Sequence, residues 1–205
     1  MASLRDVVAS RPRLVLVGIN PGLRSGALGY HFAGNGNPFW RLLHAARLTP
    51  TLLPYEENQR LAELGIGLTN LCSRTTRTAA ELTRAEIARG RVILAGKIAA
   101  WRPAVVAFVG VSLYRMVFGP TATPGAGPKP ETIAGARVFV VPNPSGLNAS
   151  FPGFADKLVW FRRMRAFVDR VDRVDRLDRV DRLDRVSPKP RPRAARLRKR
   201  LTAAR

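Results

Sequence analysis

Cysteine is almost absent from this chain of 205 residues, in which Cys72 is the single example. One thiol cannot form an internal disulfide, and it supplies too few soft ligands for a structural zinc site or an iron–sulfur cluster. We therefore expect neither a metal site nor a cofactor.

Long apolar runs are also missing, since none reaches the roughly 18 residues that a membrane-spanning helix needs. The first residues lack the positive region followed by an apolar stretch that is typical of a secretory signal. These two absences predict a cytoplasmic protein without a membrane partner. Nothing in the sequence indicates an oligomer, so a monomer is the default expectation.

Acidic residues are scarce, because 35 Lys and Arg stand against 14 Asp and Glu and give a net charge of +21. Residues 187–205 contain eight basic residues and no acidic ones, whereas six Asp balance six Arg in residues 168–186. Residues 1–167 therefore carry the remaining excess of 13 positive charges. An excess of this size indicates a polyanionic partner, with nucleic acid first and an acidic membrane surface second.

Alternating apolar segments indicate the fold class. Runs of apolar, β-branched residues predict strands at 13–18, 65–70, 104–109 and 136–141, of which 65–70 is the candidate for a sheet edge. Helical patterns occupy 37–48, 79–99 with a break near Gly90, 112–118 with a cap at Ser112, and 154–168, while 121–130 is predicted to be a Pro- and Gly-rich loop. The order predicts a three-layer α/β/α sandwich with a mainly parallel sheet of about four strands.

The C-terminal part has a different character. Residues 168–186 repeat an apolar residue, Asp and Arg. A period of three does not build one apolar stripe on a helix, but it creates favourable i,i+4 Asp–Arg pairs, so we expect a solvated helix that buries little. Residues 187–205 are predicted to be a disordered basic tail, which leaves residues 1–167 as the globular domain.

Two stiff loops follow predicted strands and meet at the same edge of a parallel sheet, where ligands bind in such folds. The first is GINPG at residues 18–22, in which Pro21 restrains Asn20. The second is PNPSGLN at residues 142–148, with the apolar Leu147 near its tip. An apolar side chain on a rigid loop of a basic protein is suited to wedge between stacked bases.

These two stretches, about 120 residues apart, resemble the signature loops of the mismatch-specific uracil-DNA glycosylases, the family of bacterial Mug and eukaryotic thymine-DNA glycosylase. The resemblance covers roughly residues 10–167 and implies the uracil-DNA glycosylase fold. It also implies excision of uracil, with thymine or other damaged pyrimidines as further substrates, from double-stranded DNA in which the base is mispaired with guanine. In a bacterium such an enzyme would associate with the nucleoid.

The resemblance implies a role for each matching residue. Asn20 would position the attacking water, and the flipped base would lie in a pocket formed by Ile19, Ser25, Phe32 and Asn143. Ser25 would lie near the 5-position of the pyrimidine, and Phe32 would stack on the base. Leu147 would fill the space that the base vacates, while the backbones of Gly146 and Asn148 would contact the widowed guanine.

Departures from related families narrow this hypothesis. Other uracil-DNA glycosylases carry Asp at the position of Asn20 or have cluster-forming cysteines, so the amide favours the mismatch-specific branch. The catalytic loop holds no lysine, which predicts a monofunctional enzyme without strand cleavage. Asn70 stands where some members have Lys, and the role of that position is therefore open.

Several residues have two interpretations on sequence grounds. His31 either bonds the leaving base or the DNA backbone, or it is a solvated loop histidine. Arg74 and Arg77 either contact phosphate or lie on solvated surface. Phe32 alone would also fit an ordinary core position.

Two other functions are consistent with the same composition. The chain could bind mismatches or abasic sites with a glycosylase fold but without catalysis, which an intact Asn20 disfavours. It could instead bind a free nucleotide, which the basic domain and the apolar loop tip at Leu147 disfavour.

Overall fold

A computed structural model describes residues 4–8, 10–145 and 150–186, with side chains as far as residue 178. Five strands form one sheet in the order β2-β1-β3-β5-β4: β1 (Leu14–Gly18), β2 (Ile66–Asn70), β3 (Val105–Val109), β4 (Gly127–Ile133) and β5 (Ala136–Val141). Neighbouring strands are parallel except β4, which pairs antiparallel with β5. As predicted, β2 is an edge strand.

Helices connect the strands. They are α1 (Leu23–Leu28), α2 (Phe39–Ala45), α3 (Arg84–Trp101), α4 (Val111–Phe118) and α5 (Phe154–Val186), with 3-10 turns at Tyr55–Leu64 and Ala79–Glu81. Because successive side chains of a strand point to opposite faces, β1 serves two cores. Leu14 and Leu16 pack with residues of α2 and α5, whereas Val15 and Val17 pack with residues of α3 and α4. The predicted three-layer α/β/α sandwich is confirmed.

The predicted loop at 121–130 is partly wrong, because Gly127–Ile133 is a fifth strand. Proline interrupts sheet hydrogen bonding, and Pro128 and Pro130 are tolerated here because β4 lies at the edge of the sheet. The register of β4 against β5 shifts between Lys129 and Thr132. Pro130 lies within this irregular part of the strand pair.

Two predicted helix features are also wrong. The predicted helix at 79–99 is divided before Thr83, which is the N-cap of α3. The break predicted near Gly90 is absent, because α3 is continuous through that residue. A Cβ at Gly90 would overlap the Leu71 carbonyl oxygen, so glycine here permits close packing of α3 on the loop after β2. Gly110, not Ser112, is the N-cap of α4, and no side chain bonds the first turn.

The chain divides into two compact units, Met1–Asp172 and Arg173–Arg205. In the first unit, Val168 and Val171 are buried in the core, so the first apolar residues of the Asp/Arg repeat pack more than the repeat pattern suggested. In the second, Val174 and Leu177 are exposed. Across the described part of the chain, the helices are too short or too polar to cross a bilayer.

Candidate active site

A cavity of about 870 Å³ opens at the carboxyl ends of the parallel strands. Gly18 ends β1, Asn70 ends β2, Gly110 follows β3 and Pro142 follows β5, and all four line it. The cavity also contains seven of the residues selected from the sequence: Ile19, Asn20, Ser25, His31, Phe32, Arg77 and Asn143. The two loops that the sequence singled out therefore share one cavity, as far as residue 145.

The Asn20 side chain is held by its nitrogen. Asn20 Nδ2 donates to the Arg74 carbonyl oxygen at 2.9 Å and to Thr76 Oγ1 at 2.7 Å, with a longer contact of 3.2 Å to the Pro21 carbonyl. Thr76 Oγ1 donates its own proton to the Thr78 carbonyl at 2.7 Å, so it can only accept from Asn20. This network fixes which end of the amide is nitrogen.

In this orientation Asn20 Oδ1 is the amide atom that the protein does not engage, as far as the described residues show. No residue in the described segments donates a hydrogen bond to it, and it is not among the buried atoms that lack a partner. Asn20 is half-buried and lines the cavity. An amide oxygen held in this way can accept a hydrogen bond from a water and orient it, but it is a poor base.

Phe32 stacks on Phe39, with ring centroids 3.7 Å apart and planes inclined by 14°. Phe39 is fully buried in the core, whereas Phe32 is half-buried and lines the cavity. Phe32 is thus both a core contact and a cavity wall, and its two sequence-based interpretations are compatible. An aromatic face at a cavity can stack on a planar base.

Ser25 lines the cavity and is 8% exposed, but its hydroxyl already has a structural partner. Ser25 Oγ accepts from the Ala33 amide at 3.1 Å. The serine therefore connects α1 to the loop that carries Phe32, in addition to presenting a small polar group to the cavity.

His31 is not a solvated loop residue, since only 2% of it is exposed. Its Nε2 lies 3.0 Å from the Arg5 carbonyl oxygen, and a carbonyl only accepts, so Nε2 carries the proton. Burial lowers the pKa of His31, which is therefore neutral at pH 7. Its bond to Arg5 secures the segment whose Leu4 lines the cavity.

Arg74 and Arg77 have different environments. Arg74 Nε and Nη2 bond the two carboxylate oxygens of Glu86, and Nη2 also donates to the Glu81 carbonyl at 2.6 Å. Two of its three guanidinium nitrogens are therefore engaged within the protein, and its charge is paired with Glu86. Arg77 is exposed at the cavity, and no side chain of the described residues pairs with it, which leaves it available to an anion.

The second loop is described only in part. Asn143 lines the cavity, and its Oδ1 accepts from the Ser145 amide at 3.0 Å, which stiffens the start of the loop. The predicted wedge and guanine contacts, Gly146, Leu147 and Asn148, lie outside the described residues.

Thr76 and Asn70 are two cavity residues to which the sequence alone assigned no role. Both line the cavity, and Thr76 holds the Asn20 amide. The signal lay in the strand order: β1 and β2 are parallel neighbours with Gly18 opposite Asn70, so the loops that follow them run side by side. Residues 74–76 consequently lie beside the GINPG loop at 18–22, and Thr76 N donates to the Pro21 carbonyl. In the described segments no group of His, Cys, Asp and Glu forms a metal site.

Comparison with known proteins identifies the superfamily and the fold. The model of the uracil DNA glycosylase superfamily matches residues 5–165, so the chain belongs to that superfamily. A solution NMR structure from Methanosarcina acetivorans, of a protein provisionally described as a uracil DNA glycosylase, superposes with a TM-score of 0.53. The match covers 80% of this chain and 97% of that one at 18% identity, which establishes the shared fold.

Membership of the superfamily supports a DNA glycosylase role, that is, hydrolysis of a bond between a base and its sugar in DNA.

Proposed function

We propose that the protein is a monofunctional, mismatch-specific uracil-DNA glycosylase of the Mug and thymine-DNA glycosylase branch. It removes uracil, and in some contexts thymine or another damaged pyrimidine, from double-stranded DNA where the base is paired with guanine. The observation that carries this proposal is the Asn20 amide, whose nitrogen is fixed by Arg74 and Thr76 and whose oxygen remains open at the cavity.

In this mechanism the target nucleotide leaves the duplex and enters the cavity, because its C1′ is unreachable inside the helix. Asn20 Oδ1 accepts a hydrogen bond from one water and points that water's oxygen at C1′. The bond from C1′ to the base breaks with its electron pair leaving on the base, and the water oxygen bonds to C1′. The released proton passes to solvent.

An amide accepts protons poorly, so catalysis rests on positioning and on electrostatic stabilisation of the cationic sugar. The DNA phosphates supply negative charge near that sugar. We expect a slow enzyme for this reason. Phe32 would stack on the flipped base, an interaction worth about 1–3 kcal/mol per base.

The mismatch-specific branch is supported by two features of the chain: position 20 holds Asn where other branches carry Asp, and the GINPG and NPSGLN stretches occur in order. The GINPG loop contains no lysine to form a Schiff base, which supports monofunctional chemistry without strand cleavage. Under this proposal Leu147 fills the vacated space, and Gly146 and Asn148 contact the unpaired guanine. Arg77 contacts a phosphate at the cavity mouth.

Release of free uracil from a duplex with one G·U pair tests the proposal, with an A·U duplex and folded Asn20→Ala as controls. We expect faster release from G·U than from A·U, no strand cleavage before alkali treatment, and almost no release by the variant. Tight mismatch binding without release by the wild type would establish the non-catalytic alternative. Full activity in Asn20→Ala would refute the assigned role of the amide.

A further inference from the structure

Phe32 adopts an unusual backbone conformation. Its φ of +52° lies in the left-handed region, which residues with a side chain seldom occupy unless their surroundings hold them there. This conformation places the ring against Phe39 on one side and at the cavity on the other. Whatever holds the backbone of Phe32 therefore sets the position of the ring.

Both polar backbone atoms of the next residue, Ala33, are held by side chains of α1. The Ala33 amide donates to Ser25 Oγ at 3.1 Å, and the Ala33 carbonyl oxygen accepts from Arg24 Nε at 2.8 Å. Ala33 itself is 1% exposed, so a lost partner would leave a buried polar group unpaired. The side chains of Arg24 and Ser25 thus hold the two peptide groups that flank Ala33.

The same short helix is joined to the catalytic loop. Gly22 is the N-cap of α1 and follows Asn20 and Pro21 directly in the chain. A grip from Arg24 on Ala33 therefore fixes the distance between the amide that would orient the water and the ring that would stack on the base.

We propose that Arg24 is a positioning residue, which acts on the flipped base through Ala33 and Phe32. The proposal rests on the function proposed above, because it assigns Phe32 the stacking role. An exposed arginine near a DNA site would ordinarily be assigned to phosphate binding. Here the inward donor Nε is committed to a main-chain oxygen, a contact that a phosphate ligand does not need.

The test uses the full chain with Arg24→Met, which removes the donor, and Arg24→Lys, which retains a charged donor. Arg89→Met is the matched control, since Arg89 is an exposed arginine of α3 for which the described residues offer no ion-pair partner. Three measurements are made on each variant. They are hydrogen exchange of the Ala33 amide without DNA, the single-turnover rate of uracil release from the G·U duplex, and binding of the duplex over a range of salt concentrations.

We expect Arg24→Met to accelerate Ala33 exchange and to slow uracil release by about tenfold, the effect of a modest loss of transition-state stabilisation. Arg24→Lys should fall between Arg24→Met and the wild type. Arg89→Met should match the wild type in exchange and rate, and the salt dependence of binding should be the same for the two Met variants.

Wild-type Ala33 exchange in Arg24→Met would overturn the proposal. So would an equal loss of rate in Arg89→Met. A purely phosphate-binding arginine would instead leave exchange unchanged and lower the salt slope by about one. If the wild type releases no uracil, the proposed function fails, whereas the exchange measurement still decides whether Arg24 holds the Phe32 loop.

Discussion

Arg74 and Glu86 form an ion pair, and Arg74 also accepts a hydrogen bond from the candidate catalytic amide of Asn20. Arg74 bonds both carboxylate oxygens of Glu86, while its backbone carbonyl accepts from Asn20. Glu86 in turn receives the Thr83 amide in the capping box of α3. A long helix, its first turn and the loop beside Asn20 are thus connected by one carboxylate.

The substitution Glu86→Gln should weaken this support in a pH-dependent way. The hydrogen bond from Arg74 lowers the pKa of Glu86 to about 2, below its ordinary value. A depressed carboxyl pKa contributes stability that is present above the unfolded pKa of about 4.5 and is lost as pH falls toward 2. The free energies of unfolding of the two proteins in urea should therefore differ clearly at pH 7, and this difference should be smaller near pH 3. An equal difference at both pH values would contradict the assignment.

Replacing Thr76 with Val should affect catalysis more than folding. The side chain keeps its shape but can no longer accept from Asn20 or donate to Thr78. We expect uracil release to slow by about tenfold. The free energy of unfolding should fall by only about 1 kcal/mol. Thr75→Val is the matched control, because Thr75 packs against Gly26 and makes no bond to Asn20. Equal losses of rate in both variants would argue against a specific role for Thr76.

The sheet and the place of the GINPG loop at its edge were predictable because local patterns encode them. Residues 105–109 form an unbroken apolar run, as expected of a strand covered on both faces. Proline in β4 concealed the edge strand, since the positions of Pro128 and Pro130 are acceptable only at an edge. The short helix α1 was missed because it contains Gly26 and lacks a side-chain cap.

The support of the site was harder to predict, because it depends on contacts between distant residues. Asn20 and Thr76 are 56 positions apart, and no periodicity relates them. The grip on Ala33 depends on the left-handed backbone of Phe32, which no local pattern signals at a phenylalanine. Burial of His31 likewise follows from the path of residues 4–8 along β2, where Val7 bridges to Leu68.

The substitution Gly18→Ala should act through Asn70. A Cβ at Gly18 would overlap Asn70 Oδ1 and lie 3.6 Å from Phe32 Cζ. The Asn70 side chain can move aside, so we expect folding with a loss of about 1 kcal/mol and slower uracil release. In an Asn70→Ala background the same substitution should have little effect on the rate, which a double-mutant cycle measures. Additive effects of the two substitutions on the rate would show that Gly18→Ala does not act through Asn70. Gly22→Ala controls for the stability of the loop, because a Cβ at Gly22 meets open space.

Acid should destabilise the protein through His31. Burial lowers its folded-state pKa below the ordinary 6.5, so the unfolded chain binds the proton more readily. The contribution of neutral His31 to stability is therefore complete above pH 6.5 and is lost as pH falls through its folded pKa. His31→Gln retains a donor for the Arg5 carbonyl but does not titrate, so its unfolding free energy should vary less between pH 7.5 and 5. Parallel pH profiles for the two proteins would refute this explanation.

Truncation after Val186 should weaken binding to undamaged DNA and reduce its salt dependence, because it removes eight basic residues and no acidic ones. Truncation after Asp172 additionally removes a nearly neutral segment of five Arg and four Asp, so it should weaken binding by little more. Both cuts retain Val168 and Val171, which are buried in the core, so both proteins should fold and keep the single-turnover rate at saturating enzyme. A much larger effect of the longer truncation on DNA affinity would show that the Asp/Arg repeat itself contacts DNA. A loss of the saturating rate in either protein would instead place the extension in the catalytic machinery.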